Sequence, residues 1–432
     1  MKVAVVAMGK IGLPLAVQIA SNDIEVVGVD INAAVNDLVN AGKEPFPGET
    51  DLDVKLHDVV SRGLLRATDD FSDAIPGADV VIVVVPVIVD DAARPDFRAI
   101  DAATKAIGEN ITDGTLVSYE TTLPVHTTRE HFVPGLEAAS GKSVGTDIFV
   151  CHSPERVFTG RVFSDLRKYP KLVGGVDEES ARLAVEFYEK VLDFDERPDL
   201  RKPNGVWDLG SAEAAELAKL AETTYRNINI AFANELALHG DALGVDIAPV
   251  IEASNSQPFS HIHQPGIAVG GHCIPVYPKF YLSVDHDATM PAAAIKLNES
   301  MPGRVAQRVA ELIDDVAGRR VVILGVTYRG GVKETAFSGA FPLRDALVEA
   351  GADVIAHDPM YTDDELRDLG FAPFELGQTC EAAIVQSDHV EYRSLNASDL
   401  PGAQLIFDGR SVIDASNFDG TKVVTLGSGA SN

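Results

Sequence analysis

Through the first third of the chain the apolar residues gather in short unbroken runs, as in strands buried on both faces of a parallel sheet. Lys2 to Val6 predicts one such strand, and Gly9-Lys10-Ile11-Gly12 followed by Leu13 to Ala20 predicts a tight turn entering a helix. A second strand is predicted over Glu25 to Val29, with others over Val80 to Val85, Leu116 to Tyr119 and Ile148 to Cys151. The alternation is that of a doubly wound sheet. The longest apolar run, Val80 to Val89, contains Pro86 and is about half the roughly 20 residues a bilayer span requires, so it reads as a buried strand.

From Ser211, an N-cap with Glu213 in the first turn, to about Gly244 there is no proline and apolar residues recur at helical spacing. One helix of that length runs roughly 50 Å and typically joins domains or pairs with a partner subunit, so a homodimer built on this segment is expected; a kinked pair of shorter helices is the alternative. On it Glu216, Lys219, Thr223 and Arg226 share one face, which reads as a solvated stripe. After Pro302, a helix over Arg304 to Ala317 precedes the apolar run Val321 to Gly325, and Val354-Ile355-Ala356 ends at His357-Asp358-Pro359. These elements predict a second nucleotide-fold layer without a glycine fingerprint. The tail beyond Thr425 reads as frayed. The predicted class is therefore α/β, two Rossmann-like doubly wound domains joined by a long central helix, with boundaries at 1–200, 201–302 and 303–432.

Charge narrows the choice of partner. With 36 basic and 65 acidic residues the 432-residue chain carries a net charge of −29, which opposes binding to nucleic acid or an anionic membrane surface. Dense carboxylates also keep a protein hydrated in concentrated salt, where screening removes their repulsion, so a high-salt cytoplasm is expected. Met1 to Gly9 lacks the apolar region and cleavage site of a secretory signal, which predicts a protein that stays inside the cell.

The first turn has a chemistry of its own. Glycines let the backbone approach a pyrophosphate, the helix N-terminus attracts it, and Asp30, about 20 residues further on, stands where a ribose-binding acid belongs. A carboxylate there repels a 2′-phosphate, and Ile31 and Asn32 supply no arginine, so NAD is predicted over NADP. Ala7 occupies the first glycine position of the fingerprint, a departure small enough for the turn to survive. The three cysteines, Cys151, Cys273 and Cys380, suggest neither a disulfide framework nor a zinc site. Cys273 stands out, because Gly270 and Gly271 strip side chains from its approach; a reactive thiol and a buried structural cysteine both fit the residue alone. His261, His263, His272 and Cys273 lack a regular metal-ligand spacing, and no metal is expected.

Several segments together resemble the UDP-glucose and GDP-mannose dehydrogenase superfamily, most closely its UDP-N-acetylhexosamine 6-dehydrogenase branch. They are Met8 to Ala16, Glu120-Thr121-Thr122-Leu123-Pro124, Ser153-Pro154-Glu155-Arg156-Val157, Lys171 to Gly175, Thr224-Tyr225-Arg226, Ala231 to Glu235 and Gly270-Gly271-His272-Cys273-Ile274-Pro275. The resemblance implies an NAD-binding domain, a central helical domain for dimerisation and the active site, and a C-terminal UDP-sugar-binding domain. It implies two successive oxidations at the sugar C6 carbon, with Cys273 capturing the aldehyde as a thiohemiacetal that becomes a thioester. Lys219 would then assist proton removal and stabilise oxyanions, Glu155 guide the hydrolytic water and Thr122 stand near it. NAD contacts are implied at Gly9, Lys10, Ile11, Gly12, Asp30, Pro86 and Thr122. Contacts to the UDP-sugar substrate are implied at Glu155, Arg156, Val157, Lys219, Arg226, Gly270, His272, Arg329 and Lys333.

Three positions depart from the family pattern. Thr223 replaces a common asparagine, Tyr277 a common aspartate, and Ala336 the usual arginine of its loop, leaving Arg329 and Lys333 as candidates for the missing charge. Within that branch the resemblance favours UDP-N-acetylmannosamine as substrate, and three other functions remain in play: UDP-glucose 6-dehydrogenase, a two-electron hydroxyacid dehydrogenase, and a nucleotide-sugar-binding protein with impaired catalysis.

Overall fold

The computed structural model describes residues 1–90 and 94–429, which form two compact units that divide between Glu222 and Thr223. In the first unit, β1 (Lys2–Val6), β2 (Glu25–Val29), β3 (Leu65–Thr68), β4 (Val80–Val83), β5 (Leu116–Tyr119), β6 (Phe149–His152), β7 (Lys171–Gly175) and β8 (Val206–Asp208) make one sheet. Its order is β8-β7-β6-β5-β4-β1-β2-β3. The six strands from β3 to β6 are parallel in the dinucleotide-fold order 3-2-1-4-5-6, while β7 joins β6 antiparallel and β8 follows β7 in parallel. Helix α1 (Gly12–Ser21) crosses from β1 to β2 with Leu13, Leu15, Val17 and Ile19 buried. Together with Val3, Val5, Val26 and Ile82 and with Phe187 and Tyr188 of α2 (Glu178–Val191), they form the core on that face.

Val80 to Val89 does not run as one strand. β4 stops at Val83, the Val85 carbonyl accepts the Thr121 hydroxyl at 2.7 Å, and Pro86 is exposed. Proline has no N–H to donate to a ladder, so Ile88–Val89 pairs instead with Pro95–Asp96, leaving Ile88 62% exposed.

The second unit holds a parallel six-stranded sheet of β9 (Arg320–Leu324), β10 (Asp353–His357), β11 (Ala372–Pro373), β12 (Ala382–Val385), β13 (Leu405–Asp408) and β14 (Lys422–Thr425), again in the order 3-2-1-4-5-6. The long segment of the sequence is one continuous helix, α3 (Ala212–Leu243), whose first turn is capped by the Ser211 hydroxyl accepting from the Ala214 amide at 3.1 Å. Short α4 (Tyr277–Val284) follows the glycine segment, and α5 (Thr289–Leu312) packs on the second core.

Helix α5 begins fifteen residues before the expected Arg304 and carries Pro302 inside it. An internal proline costs about 3 kcal/mol; burial of Met301, Val305, Ala306 and Val309 against Val321, Ile323 and Phe407 outweighs it. The helix ends before Ala317 because Asp314 and Asp315 take positive φ values of 57° and 109°. The tail is not frayed as far as Gly429, since Leu426 is buried, its amide donates to the Asp408 carbonyl at 3.0 Å, and the Gly429 amide donates to Asp241 Oδ1 at 3.0 Å. Residues 430–432 of that predicted tail lie outside the described residues. No helix among the described residues is long and apolar enough to cross a membrane.

Candidate active site

The predicted cofactor residues follow the carboxyl ends of parallel strands: Gly9, Lys10, Ile11 and Gly12 after β1, Asp30 after β2, Pro86 after β4 and Thr122 after β5. A Cβ on Gly12 would sit 1.9 Å from the Ala7 carbonyl oxygen, whereas one on Gly9 would meet nothing within 4 Å. The turn is thus closed on its inner side and open on its outer side, which leaves room for a pyrophosphate. No side chain caps α1, its Leu13 amide donates to the Gly9 carbonyl at 3.1 Å and Pro14 has no N–H, so the Gly12 amide is what the helix N-terminus offers an anion. Ala7 adopts a φ of 78°, the left-handed backbone that glycine takes at the first fingerprint position without a Cβ penalty. Asp30 Oδ2 accepts from the Met8 amide at 2.8 Å and Oδ1 from the Asn32 amide at 2.9 Å, which fixes the carboxylate beside the turn with lone pairs left for ribose hydroxyls. These residues fit NAD.

Glu155 follows β6. The antiparallel register pairs Cys151 with Gly175 and His152 with Gly174, and continuing it brings Lys171 alongside Glu155. Lys171 Nζ lies 2.7 Å from Glu120 Oε2 and 2.8 Å from Glu155 Oε2, and the Arg156 amide donates to Glu155 Oε1 at 2.7 Å. Burial alone would push Glu155 up; Lys171, the Arg156 amide and Lys219 more than offset it and hold its carboxyl below the usual range. Burial pushes Glu120 up despite Lys171 and the donating Tyr188 hydroxyl. Arg156 Nε donates to Glu222 at 2.8 Å, and Val157 packs against the first core.

The supposed solvated stripe on α3 is buried, with Glu216 at 0%, Lys219 at 7% and Thr223 at 2% exposure. Glu216 satisfies its burial by accepting from the His126 and Thr128 amides and the Thr128 hydroxyl, yet desolvation pushes it up to about 7. Helical periodicity shows that these residues share a face; only the packing shows that the face points inward. Neither Glu120 nor Lys171 was singled out for chemistry from the sequence, although each opens one of the segments that carry the family resemblance.

In the second unit, the Gly271 amide donates to the Ala336 carbonyl at 2.8 Å, and His272 Nε2 lies 3.5 Å from Glu334 Oε2. A Cβ on Gly270 would stand 2.5 Å from Tyr328 Cβ, so the glycine lets the two loops close together. Gly270 and His272 thereby share a neighbourhood with the loop of Arg329 and Lys333. Arg329 lies 5.8 Å from the Tyr328 ring centroid, while Lys333 pairs with Glu365 and stands 4.9 Å from the Tyr361 ring. Arg226 stays partly buried, and its charge adds to burial in holding His263 below the usual histidine range.

The cysteines separate by environment. Cys151 and Cys380 are buried, and burial pushes their thiols up to about 12 and about 11. Cys273 is partly exposed, just before α4, with its carbonyl accepting from the Val276 and Tyr277 amides at 3.2 and 2.9 Å. Among the described residues no group of three His, Cys, Asp or Glu side chains could hold a metal ion.

Two sheets of dinucleotide order, one carrying a glycine turn that fits NAD, define an α/β nucleotide-binding protein. Models of the UDP-glucose/GDP-mannose dehydrogenase family match its NAD-binding domain at residues 1–192, its central domain at 213–301 and its UDP-binding domain at 322–415. The chain belongs to that family, and it is an NAD-dependent nucleotide-sugar dehydrogenase. It is 34% identical to the UDP-N-acetyl-D-mannosamine dehydrogenase of Pyrococcus horikoshii, with 96% of each chain covered. It is also similar to the solved UDP-N-acetyl-mannosamine dehydrogenase Cap5O of S. aureus, at 29% identity, 99% of each chain and a TM-score of 0.85. A solved UDP-glucose dehydrogenase from Pyrobaculum islandicum matches with 25% identity, 99% and 97% coverage and a TM-score of 0.86.

Proposed function

We propose that this dehydrogenase oxidises the C6 hydroxyl of a UDP-N-acetylhexosamine, UDP-N-acetylmannosamine foremost, to the uronate, with two NAD reduced per sugar. The observation that carries the reading is Cys273, the one cysteine that is partly exposed, in a glycine-rich segment that packs closely on Tyr328. Bound NAD supplies the hydride acceptor for both oxidations. Cys273 adds to the C6 aldehyde to give a thiohemiacetal, loss of a second hydride leaves a thioester, and water releases the acid while the C–S electron pair leaves with sulfur. Lys219 counters alkoxide charge, Glu155 takes the proton of the attacking water and Thr122 stands beside it. Gly9, Lys10, Ile11, Gly12, Asp30, Pro86 and Thr122 take the cofactor. Glu155, Arg156, Val157, Lys219, Arg226, Gly270, His272, Arg329 and Lys333 take the sugar nucleotide. Of the two cations proposed for the position lost at Ala336, Arg329 is favoured, because Lys333 is engaged by Glu365.

The fold does not choose the sugar, since a mannosamine enzyme and a glucose enzyme match with TM-scores of 0.85 and 0.86. The Gly271 to Pro275 segment and the P. horikoshii relative favour the N-acetylhexosamine. We assign residues 1–200 to NAD binding, 201–302 to a central helical domain and 303–432 to the UDP-sugar. A homodimer through α3 is supported by Tyr225 and Phe232, seven residues apart on that helix and 54% and 48% exposed. We assign the reaction to the cytoplasm, in keeping with its need for NAD.

The test is kcat/KM for UDP-N-acetylmannosamine, UDP-N-acetylglucosamine and UDP-glucose, with NADH counted per sugar. Two NADH and preference for the first sugar are expected; a clear win for UDP-glucose overturns the substrate, and one NADH overturns the four-electron reaction. Cys273→Ser should bind both ligands and fail to sustain acid formation, because serine lacks a stable thiolate.

A further inference from the structure

The first unit buries two carboxylates against a single ammonium. Side-chain exposure is 4% for Lys171, 0% for Glu120 and 11% for Glu155, so water screens these charges little. Lys171 bridges the two carboxylates at 2.7 and 2.8 Å, and its Nζ lies 4.8 Å from the Tyr188 ring centroid. The Tyr188 hydroxyl donates to the other oxygen of Glu120 and sits 2.7 Å from the Ser118 hydroxyl. Glu155 therefore has one oxygen held by an ammonium and the other by the Arg156 amide. Its carboxylate plane is fixed from two sides, with the ammonium itself anchored behind by Glu120.

We propose that Lys171, anchored by Glu120, is a positioning residue that holds Glu155 ionised and in one orientation for the water step. The proposal rests on the reaction assigned above. In that step Glu155 accepts a proton from water as the water oxygen bonds the thioester carbon and the C–S bond breaks. A base that must be ionised on arrival gains from a fixed ammonium, whereas a buried carboxyl without one keeps its proton. The groups facing Glu155 are Lys171 and Glu120, then Lys219 of α3, with Tyr188 of α2 behind Glu120. His152 of β6 adds no charge, since burial, with Lys171, pushes it down to about 3. Cys151 adds none either, its thiol being pushed up to about 12 by burial.

The experiment uses Lys171→Met with Glu120→Gln. Fully ionised, the parent cluster sums to −1, and the double variant, with Glu155 alone charged, also sums to −1, so it folds where Lys171→Met alone strands two carboxylates. In protein carrying 13C-carboxyl glutamate, with Glu155→Gln identifying the signal, Glu155 should titrate about one pH unit or more higher in the double variant. The acid limb of kcat for uronate formation should rise by the same amount, with KM for NAD and sugar within about threefold, since neither Lys171 nor Glu120 is assigned to either ligand. A Glu155 titration that stays within about 0.3 unit overturns the proposal, as does a raised titration beside an unmoved limb. A parent that makes no uronate overturns the assigned reaction instead, and the titration still reports whether Lys171 holds Glu155.

Discussion

At the level of single residues, the cofactor turn depends on two positions whose geometry leaves little freedom. Gly12→Ala would drive a methyl group to within 1.9 Å of the Ala7 carbonyl oxygen, a backbone atom that cannot rotate away. The turn must open, so we expect a loss of about 1–3 kcal/mol in stability and about tenfold or more in NAD affinity, read by denaturant unfolding and by titration with NAD. Asp30 is the residue proposed to govern which cofactor enters. Replacing it with alanine removes both the ribose acceptor and the repulsion toward a 2′-phosphate, so the ratio of kcat/KM for NAD over NADP should fall by an order of magnitude or so. An unchanged ratio would show that discrimination lies elsewhere. Ala7 shows what the residue scale hides. Its side chain is compatible with the fingerprint, but its positive φ emerges only from the folded turn.

Among the elements, α3 is tied to the segment after β5 by Glu216, which sits where helical spacing alone suggested water. Burial pushes its carboxyl up to about 7 from an ordinary 4.5, although three donors reach it. The folded protein therefore keeps this proton up to about pH 7, while the unfolded chain releases it near 4.5, and folding takes up a proton in between. Stability contributed by this group is present below pH 4.5 and lost as pH rises toward 7. Glu216→Ala should flatten the fall of unfolding free energy across that window by up to one proton. It should also lower stability overall by about 1–3 kcal/mol, because the His126 and Thr128 amides lose their acceptor. Denaturant unfolding at a series of pH values checks both, and an identical slope in parent and variant would assign the proton to another group. The strand order explains a second surprise: β7 runs against β6, and that reversal is what carries Lys171 to Glu155.

For the whole molecule, a net charge of −29 means that self-repulsion opposes the compact state at low ionic strength. Salt shortens the range of that repulsion from about 10 Å at 0.1 M to about 3 Å at 1 M, and it strengthens apolar burial where the anion is strongly hydrated. The melting temperature should therefore climb between low and molar potassium chloride; a steady fall would contradict adaptation to salt. Turnover with NAD and sugar over the same range separates tolerance from requirement.

The sequence by itself determined the two sheets, the long helix, the glycine turn followed by Asp30 and the family, because each is written in local signals: apolar runs, glycine spacing, a proline-free stretch and contiguous motifs. It also marked Cys273, Lys219 and Glu155 as candidates. Only the tertiary structure decided which cysteine is accessible, that Pro302 lies inside a helix, that the Glu216 face points inward and that the tail is pinned by Asp241. It alone set Lys171 between Glu120 and Glu155. These are facts of burial and of contacts between residues distant in the chain. A carboxylate or a proline has the same local signature whether the fold turns it toward water or core, and the packing energy that settles the matter exists only once the core has formed.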